Sequence, residues 1–417
     1  MNKLWREKVC GWTVCLLALL TLISWIVVNP PFNGSSNKHH HASHCYSPAG
    51  VLNQDAGAPI RECIDCARVV KSCSLTPTLK SRYQHLQKDK HYLFALALHN
   101  SQPLIRNMVV QLSQVFEFLG VNHTTLSIYE GGSSDNSSQL LSLLALEFEM
   151  IGVTTHVVTG GPPIDWEHVY RIEALAKVRN RVLEPLFEDV DRVNRLHSPP
   201  AFHSIVYLND IVFCAADILE LIHQHTVLGA SMVCPLDFGT WDPFLTPFYD
   251  LWVARTMAGD ILYDAFGNYE DGGANVSLSR SEQKWKRETS WHASNGLQLF
   301  WKDRLGQARA SQGRPVQVYS CWNGGVVIDP RPFYESRLQF RRGKKGECAE
   351  SECSHFSKDL WQAGYGKIAI VPSVAVAYTF EEYERVRTRW ELLMDVKGRM
   401  IPFFAPKLQP DCGGGAT

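Results

Sequence analysis

Two polar residues at the end of a short apolar run could hold a metal ion. Asn209 and Asp210 come directly after the run that ends at Leu208. A hard divalent cation takes oxygen ligands, keeps several waters and bridges substrate phosphates through one or two carboxylates. Asp210 is therefore a candidate ligand for such an ion. The alternative is an ordinary Asn-Asp turn at the end of a strand.

A second group of polar residues follows the predicted strand Thr124–Tyr129. Glu130, Ser133 and Asp135 stand in a turn that also contains two glycines. Exposed backbone N–H groups, hydroxyls and carboxylates in such a turn can hold a ribose or the edge of a base. The alternative is a Gly/Ser/Asp turn with no ligand, which is the commoner use of these residues.

A third pair lies on a predicted helix over Tyr170–Phe187. Arg179 and Asn180 interrupt a helix whose other periodic positions are apolar, and a guanidinium can bind a phosphate with two parallel hydrogen bonds. The alternative is a solvated helix face. A nucleotide-sugar transferase needs a turn that holds the nucleoside, a cation beside the diphosphate and a carboxylate for a metal ion. The three groups occur in that order along this chain.

Several other enzyme classes lack their motifs in this sequence. It contains no G-x-G-x-x-G after the first predicted strand and no G-x-x-x-x-G-K-[ST], so a dinucleotide-binding dehydrogenase and a P-loop enzyme are disfavoured. Neither G-x-S-x-G nor H-E-x-x-H occurs, which disfavours an α/β-hydrolase and a zinc protease.

The elements that must position these residues alternate between strand and helix. Continuous apolar runs predict buried strands, and amphipathic segments between them predict helices. The predicted strands are His91–Leu98, Thr124–Tyr129, Thr154–Val158 and Ser204–Leu208, then Val316–Asp329, Lys367–Val371 and Val374–Phe380; the predicted helices are Pro103–Leu119, Gln139–Met150, Tyr170–Phe187 and a short helix capped by Asp217. This alternation predicts an α/β fold with a mostly parallel sheet flanked by helices, and ligands then bind beyond the carboxyl ends of the strands.

Composition excludes several classes of protein. The chain has 417 residues, of which 45% are hydrophobic and 20% charged, and this balance is that of a globular protein rather than a disordered one. The formal net charge is −1, so the chain lacks the excess of basic residues with which proteins bind the phosphates of nucleic acid, and no nucleic-acid partner is predicted.

The N-terminal segment predicts a membrane anchor. Cys10–Val28 is a run of 19 residues without a charge, long enough as a helix to cross a bilayer. Basic residues precede it, so residues 1–9 are predicted to be cytoplasmic and everything after residue 28 to face a lumen. A cleaved signal peptide is the alternative; the run is longer than a usual signal core and no A-x-A-like site follows. Residues 29–90 are predicted to form a stem, 91–405 a catalytic domain and 406–417 a flexible tail.

Two further features agree with a luminal location. Four N-glycosylation sequons begin at Asn33, Asn122, Asn136 and Asn275. Ten cysteines follow the anchor, an even number that is compatible with disulfides in an oxidising compartment. Cys63, Cys66 and Cys73 could belong to a zinc site, but no second pair of ligands at finger spacing accompanies them, so a disulfide in the stem is preferred.

Taken together, the motifs resemble those of the fungal capsule-type α-1,3-mannosyltransferases, glycosyltransferase family 69. The matching segments are Ser127–Asp135, Arg171–Asn180, Tyr207–Cys214, Cys234–Asp237, Phe248–Arg255, Ser320–Gly325 and Ser351–Cys353. The similarity covers roughly His91 to Tyr378, most of the predicted luminal part. The order of an anchor, a stem and a catalytic domain is also that of the family.

The resemblance implies a GT-A-like fold, a GDP-mannose donor, a Mn²⁺ or Mg²⁺ ion, and transfer with retention to a mannan-type acceptor glycan. It also implies a single-pass type II protein of the Golgi membrane. An accessory protein of the same fold, without catalysis, is the alternative. Other GT-A enzymes bind their metal with an Asp-x-Asp motif, whereas this chain has Asn209 followed directly by Asp210, and therefore a single carboxylate.

The resemblance also implies roles for single residues. Asn209 and Asp210 would bind the metal; Glu130, Ser133 and Asp135 the nucleoside; Arg179 and Asn180 the diphosphate; and Trp322 and Asn323 a sugar, although a lone Trp is as often core. Asp237 and Glu352 are the carboxylates to test as nucleophile or acid/base helper, with structural caps as the alternative. The spacing of Cys348 and Cys353 permits a small disulfide that would fix Glu352. One departure is Thr256, where the family commonly has an acidic residue after the Arg.

Overall fold

The computed structural model describes residues 68–70, 73–87, 90–239, 248–262, 299–300 and 302–390. The predicted cytoplasmic tail, membrane anchor and C-terminal tail lie outside these residues, as do most of the predicted stem and the sequons at Asn33 and Asn275. None of the helices within the described ranges combines the length and the hydropathy that crossing a bilayer requires. All described residues belong to one compact unit of the chain, residues 64–417.

The N-terminal half of the unit alternates strands and helices as the sequence predicts. In chain order its elements are α1 (Pro77–Tyr83), β1 (Tyr92–Leu98), α2 (Gln102–Leu119), β2 (Thr124–Glu130), α3 (Ser137–Met150), β3 (Thr154–Val158), α4 (Arg171–Val182), α5 (Glu184–Leu196), β4 (Ser204–Leu208) and α6 (Ala215–Leu228). Short 3₁₀ turns follow α1 and α2. The four strands expected from apolar runs are thus confirmed.

The C-terminal half is less regular. Its described elements are β5 (Met232–Phe238), α7 (Arg304–Ala310), β6 (Val316–Gln317), β7 (Gly325–Ile328), α8 (Arg331–Ser336), α9 (Glu352–Gln362), β8 (Ile368–Ala377) and α10 (Phe380–Trp390).

The strands form one mixed sheet that is mostly parallel, which confirms the predicted fold class at that level. Its order is β3-β2-β1-β4-β7-β5-β8-β6. Because only β7 and β6 among the described strands run antiparallel to their neighbours, six of these eight strands share one direction. Strand order reverses next to β1, since β2 lies on one side of it and β4 on the other. A crevice at the carboxyl ends of β1 and β4 is the usual ligand site of such a sheet.

Hydrophobic layers cover both faces of the sheet. Successive side chains of a strand point to opposite faces. Leu93 of β1 accordingly packs in one buried cluster with Ile205 of β4, and its neighbour Phe94 packs in the other with Val206. The described residues therefore fix β1 and β4 rigidly from above and below.

The single predicted helix over Tyr170–Phe187 is wrong, because the chain forms two helices there. The first, α4, ends at Val182, and α5 starts at Glu184 with Pro185 in its first turn. A proline has no N–H to donate and its ring clashes with the carbonyl four residues back, so it kinks or breaks a helix, and here the helix breaks. The helix after Asp217 is also longer than predicted: α6 starts at Ala215, and the Asp217 carboxylate accepts the N–H of Cys214 at 2.8 Å.

The later strands differ from their predicted bounds. Val316–Asp329 is two strands, β6 and β7, because Asn323 and Gly324 adopt positive φ angles of 52° and 73° that a strand cannot contain. Lys367–Val371 and Val374–Phe380 are one strand, β8. Strand β5 was not predicted from the sequence, and its Pro235 coincides with a register shift against β8.

Cysteine pairing departs from the predicted disulfides. Cys73 is bonded to Cys214 and not within the stem, so residues before β1 are tied to the start of α6. Arg82 and Tyr83 strengthen this attachment, since both donate hydrogen bonds of 2.8–2.9 Å to the carboxylate of Glu220. A second disulfide joins Cys234 of β5 to Cys321.

Candidate active site

A cavity of about 380 Å³ opens at the carboxyl ends of β1, β2 and β4, where the strand order reverses. Helix α4 forms one wall. The polar and aromatic side chains that line the cavity are His99, Tyr129, Trp166, Arg171, Arg179, Asn209, Asp210, Tyr249 and Tyr378. Arg179, Asn209 and Asp210, which the sequence places on two separate elements, are brought together here as predicted. A larger cavity of about 620 Å³ between α1 and α2 contains none of the residues singled out above.

Asp210 points its carboxylate into this cavity and remains accessible to solvent. Protein walls surround it and remove part of its hydration, and this burial raises the pKa of Asp210. A backbone hydrogen bond partly opposes that shift in the pKa of Asp210, as do the neighbouring His99 and Arg179 side chains. Among the described residues that line the cavity, Asp210 is the one carboxylate.

Asn209 is next to Asp210 but its side-chain oxygen is already engaged. Trp322 Nε1 donates to Asn209 Oδ1 at 3.2 Å, and Arg179 Nη1 donates to the same oxygen at 3.4 Å. An oxygen that faces a guanidinium is a poor cation ligand. The structure therefore leaves Asp210 as the better of the two predicted metal ligands, and gives Asn209 the task of holding Arg179.

Arg179 forms the floor of the cavity. Its Nε donates to Glu352 Oε1 at 2.9 Å, and its guanidinium carbon lies 4.2 Å from the ring centroid of Trp322. Tyr207 and Phe340 complete an aromatic box at 5.4 and 5.8 Å. Burial alone would lower the pKa of Arg179, but the neighbouring Cys353 and Glu352 raise it above its ordinary value, so the side chain stays a cation.

Glu352 lies behind Arg179 and not at the cavity surface. Its side chain is only 3% exposed, and its Oε2 atom has no hydrogen-bond partner. The predicted disulfide that would fix it is wrong, because the thiol of Cys353 is free and Cys348 is bonded elsewhere. Glu352 is instead held at the first turn of α9, which Ser351 caps. This placement gives Glu352 a positioning role and no path to a substrate.

Asp237 is also behind the wall. It is fully buried at the end of β5, where its carboxylate accepts hydrogen bonds from the Tyr378 hydroxyl at 3.0 Å and from the Asp250 N–H at 3.3 Å. Burial raises the pKa of Asp237 well above its usual range, and the nearby Asp250 carboxylate raises it further. Tyr378 stands between Asp237 and the cavity, so Asp237 acts on the site through that tyrosine.

The structure corrects the expectation that Trp322 and Asn323 face a sugar. Trp322 is 2% exposed, and packs edge-on against Tyr207 and Phe340. Asn323 is fully buried and donates to the Pro235 carbonyl at 2.7 Å. The loop between β6 and β7 turns inward because its left-handed residues reverse the chain, so both side chains belong to the core beneath Arg179.

The predicted nucleoside residues tie the cavity rim together. Glu130 is fully buried and accepts hydrogen bonds from the backbone N–H groups of Ser133 and Gly160. Burial opposes ionisation, but these hydrogen bonds outweigh it and lower the pKa of Glu130. Ser133 Oγ accepts the N–H of Asn100 at 2.9 Å. Asp135 accepts the N–H of Gln102 at 3.1 Å and thereby links the turn to the start of α2.

Two more residues that the sequence singles out lie away from the cavity, namely Asn180, a predicted diphosphate residue, and Thr256, the departure from the family pattern. Asn180 both donates to and accepts from the backbone of Phe340, at 2.8 and 2.9 Å, and so holds one wall of the aromatic box. Thr256 is buried, and its hydroxyl accepts the N–H of Asp260 at 3.2 Å in a tight turn.

The predicted glycosylation sites Asn122 and Asn136 are exposed at the surface, as a glycosylation acceptor must be.

Sequence reasoning missed most of the aromatic lining. Trp166 and Tyr378 lie outside the matching segments, and Tyr249 lies in one of them but was given no role. Their convergence depends on loops from three different elements. The position of Arg171 in the sequence could have indicated that it lines the cavity. It stands two turns before Arg179 on the same face of α4, about 12 Å away along the helix axis, with Leu175 and Val178 between them.

The oxygen ligands available in the cavity fit a divalent cation whose remaining coordination sites would be filled by phosphates of the substrate. The described residues contain no cluster of three or more His, Cys, Asp or Glu side chains able to enclose a metal. Mg²⁺, in contrast, is commonly held by one or two carboxylates together with phosphates and several waters. One accessible carboxylate in a solvated cavity is suited to that arrangement, and Asp210 would be the protein ligand.

Comparison with known proteins identifies relatives. The sequence matches the family described as Cryptococcal mannosyltransferase 1 over residues 91–359. It is 32% identical over 314 residues to an α-1,3-mannosyltransferase of Cryptococcus neoformans var. neoformans serotype D, and the alignment covers 73% of this chain. The chain spans 61% of the length of that relative.

Solved structures show only distant likeness. A mannosyltransferase from Pyrobaculum calidifontis, in complex with GDP-Man and Mn²⁺, is 11% identical, with a TM-score of 0.35 over 75% of this chain and 67% of that one. TarS from S. aureus is 8% identical, with a TM-score of 0.36 over 72% of this chain and 39% of that one. At such scores neither likeness bears on the function of this chain.

Proposed function

This chain belongs to the cryptococcal mannosyltransferase family, and on that premise we propose that it transfers mannose from GDP-mannose to a hydroxyl of a mannose-containing acceptor glycan. The linkage we propose is α-1,3, formed with retention at the anomeric carbon. The observation that carries the proposal is the cavity at the β1/β4 switch point, where one guanidinium and one accessible carboxylate stand together.

Arg179 would stabilise the departing diphosphate. The bond between the anomeric carbon and the diphosphate oxygen breaks, and negative charge builds on that oxygen. A guanidinium that is already fixed by Glu352, Asn209 and Trp322 meets this charge without reorganising, which is the main source of electrostatic catalysis. A Mn²⁺ or Mg²⁺ ion bound at Asp210 would supply further charge neutralisation at the diphosphate.

The route to retention that we propose rests on which carboxylates of the described residues can reach a substrate. A double displacement needs a carboxylate nucleophile at the anomeric carbon. Asp237 and Glu352 lie behind the cavity wall, and Asp210 is the carboxylate assigned to the metal. We therefore propose attack from the side of the leaving group. The acceptor oxygen bonds to the anomeric carbon, and its proton passes to the departing diphosphate.

The test uses the full chain purified in detergent with GDP-mannose, Mn²⁺ and mannobiose. We expect release of GDP together with a mannosylated product, and a loss of kcat/KM of about 100-fold or more in Asp210→Asn. Asp191→Asn is the matched control, because Asp191 is an exposed carboxylate on α5 away from the cavity. Absence of turnover over a panel of donors and acceptors would instead support the accessory role.

We further propose that the protein is a single-pass type II protein of the Golgi membrane, with the cavity in the lumen. The uncharged run Cys10–Val28 and the basic residues before it support this topology. Protease protection of the C-terminal part in sealed microsomes, and digestion after detergent is added, is the expected result. Digestion in sealed microsomes would contradict it.

A further inference from the structure

The exposed aromatic residues of the described chain are concentrated beside the cavity. Four are exposed, namely Trp166, Tyr170, Tyr249 and Trp252, and their exposed fractions lie between 43% and 55%. Trp166 and Tyr249 line the cavity directly, and Tyr170 precedes the cavity residue Arg171. Large exposed rings that gather in one place mark a binding surface. We call Trp166, Tyr170, Arg171 and Tyr249 the aromatic rim.

Two arginines hold rings of the aromatic rim in place. The guanidinium carbon of Arg171 lies 5.4 Å from the ring centroid of Trp166, and that of Arg342 lies 5.8 Å from the ring of Tyr170. Arg342 is itself held by Glu173 at 3.1 Å. Rings fixed in advance lose little conformational entropy when a ligand arrives, so this surface is prepared for binding.

Arg171 has hydrogen-bonding capacity left for a ligand. Within the described part of the chain it forms no ion pair, and its contact is with the face of Trp166. Its charge reaches across the cavity mouth, since it opposes the rise that burial and nearby acids cause in the pKa of Tyr249. The aromatic rim thus offers flat apolar faces beside free N–H donors.

The size of the cavity indicates which substrate uses this surface. About 380 Å³ is the volume that one drug-sized ligand fills. On the proposed function a nucleotide sugar would fill this cavity, and the acceptor would then come in over the mouth, where the exposed rings stand. Sugars present C–H faces that pack on aromatic rings and hydroxyl edges that accept hydrogen bonds from arginine.

We propose that the aromatic rim is a subsite for an extended acceptor, in which sugars beyond the one that receives mannose lie across Trp166 and Tyr249. The inference rests on the proposed function and adds which residues receive the acceptor and how much of it they contact: several sugars of a neutral oligosaccharide chain rather than one. Stacking on Trp166 supplies affinity, and Arg171 keeps that ring in position and donates to sugar hydroxyls.

Acceptor length is the variable that tests this subsite. With the full chain, GDP-mannose and Mn²⁺, the KM for α-linked mannose, mannobiose, mannotriose and mannotetraose is measured. We expect KM to fall by about 10-fold as the chain lengthens, as one ring contact of this kind contributes. Trp166→Ala should flatten this dependence of KM on acceptor length, and Trp166→Phe should retain part of it. Trp252→Ala, an equally exposed tryptophan outside the cavity, should behave as wild type.

A direct binding measurement separates this inference from the proposed function. Titration of mannotetraose into the full chain with GDP and Mn²⁺ present should show binding that Trp166→Ala weakens about 10-fold, whether or not transfer is observed. Binding without transfer would contradict the proposed function alone. A KM that does not depend on length, or a Trp166→Ala variant that loses affinity for GDP instead of for the glycan, would overturn the subsite.

Discussion

Arg179 shows how one side chain can be specified by many others. A buried guanidinium needs a counter-charge and partners for its N–H groups, since losing its hydration is costly. Glu352 supplies the charge and Asn209 an acceptor, while the rings around it exclude water from all but the cavity side. The cation is therefore aimed at one place, and its direction is fixed before any ligand binds.

The assignment of Glu352 as a positioning residue gives a kinetic prediction. Glu352→Gln keeps an oxygen that can accept from Arg179 Nε but removes the charge, so we expect kcat/KM to fall by roughly 10-fold. Loss of a true nucleophile would cost about 10⁴-fold or more. The melting temperature should fall as well, because breaking a buried pair leaves one charge without a partner, at a cost of about 3–5 kcal/mol.

Steady-state kinetics and thermal melting of Glu352→Gln check this prediction. Glu188→Gln is the matched control, since Glu188 is an exposed glutamate on α5. A normal melting temperature combined with complete loss of turnover would show that Glu352 takes part in the chemistry, contrary to its place behind Arg179.

Asp210 predicts a pH-dependent link between metal binding and stability. Burial raises the pKa of Asp210, so the folded protein binds this proton more tightly than the unfolded chain does. The site therefore loses stability as the pH rises and the carboxylate ionises, and a divalent ion recovers it, since a metal needs the ionised form.

We expect Mn²⁺ to raise the melting temperature at pH 7.5, with an effect that fades toward acidic pH sooner than an ordinary aspartate would allow. Asp210→Asn should melt at or above the temperature of the metal-free wild type and show no response to Mn²⁺. Differential scanning calorimetry from pH 4.5 to 7.5 measures both. A Mn²⁺ response that survives in Asp210→Asn would place the ion elsewhere.

At the scale of elements, the loop after β2 is a brace for the cavity. Glu130 joins the β2 turn to the loop after β3 through the N–H groups of Ser133 and Gly160. Gly132 is required here for a steric reason: its φ is +63°, and a Cβ would lie 2.5 Å from the backbone of Pro163. Loops that carry a ligand site need such ties, because they have no ladder of strand hydrogen bonds.

Glu130→Gln should weaken this brace. An amide accepts backbone hydrogen bonds less strongly than a carboxylate, and its NH₂ cannot accept at all, so we expect a loss of about 1–3 kcal/mol in the free energy of unfolding at pH 7. The pKa of Glu130 is lowered in the folded state, so this stabilisation is complete above the unfolded pKa and is lost as the pH falls through the folded one.

Urea unfolding between pH 3 and pH 7 measures the effect. The difference between wild type and Glu130→Gln should be largest at pH 7 and should shrink in acid. Glu147→Gln, at an exposed position on α3, is the control. A difference that stays constant with pH would mean that the charge of Glu130 contributes nothing.

The elements differ in how far the sequence could predict them. Strands β1, β2 and β4 are buried on nearly all of both faces, so their residue patterns identify them directly. Strand β3 lies at the edge of the sheet and is only partly buried. Strand β5 contains Pro235 and an aspartate, and its place depends on pairing with β7 and β8, which are distant in sequence. The break at Pro185 was visible in the sequence, but the apolar periodicity runs through it. Loop conformation near Asn323 has no local signal of comparable strength.

At the scale of the whole molecule, the site divides into a predictable and an unpredictable part. Arg179, Asn209 and Asp210 follow from the rule that ligands gather where strand order reverses, which needs only the order of elements. The aromatic rim does not, because it depends on where the loops after β3 and β5 travel in space. Burial likewise separates Trp322 from Trp166, two tryptophans of identical chemistry, and burial is a property of the fold.

Nucleotide binding should stabilise the whole molecule, since a ligand that binds only the folded state does so by mass action. At 100 times its Kd, GDP with Mn²⁺ should contribute about 2.7 kcal/mol, or a few degrees in melting temperature. We expect GDP and GDP-mannose to act and UDP to act less. Arg179→Met should abolish most of the shift, whereas Arg304→Met, at an exposed arginine on α7, should retain it. Equal stabilisation by UDP would contradict a guanine nucleotide as the donor but not the location of the site. An unchanged response in Arg179→Met would contradict the site itself, because no other guanidinium at the described cavity floor is held against Asn209 and Glu352.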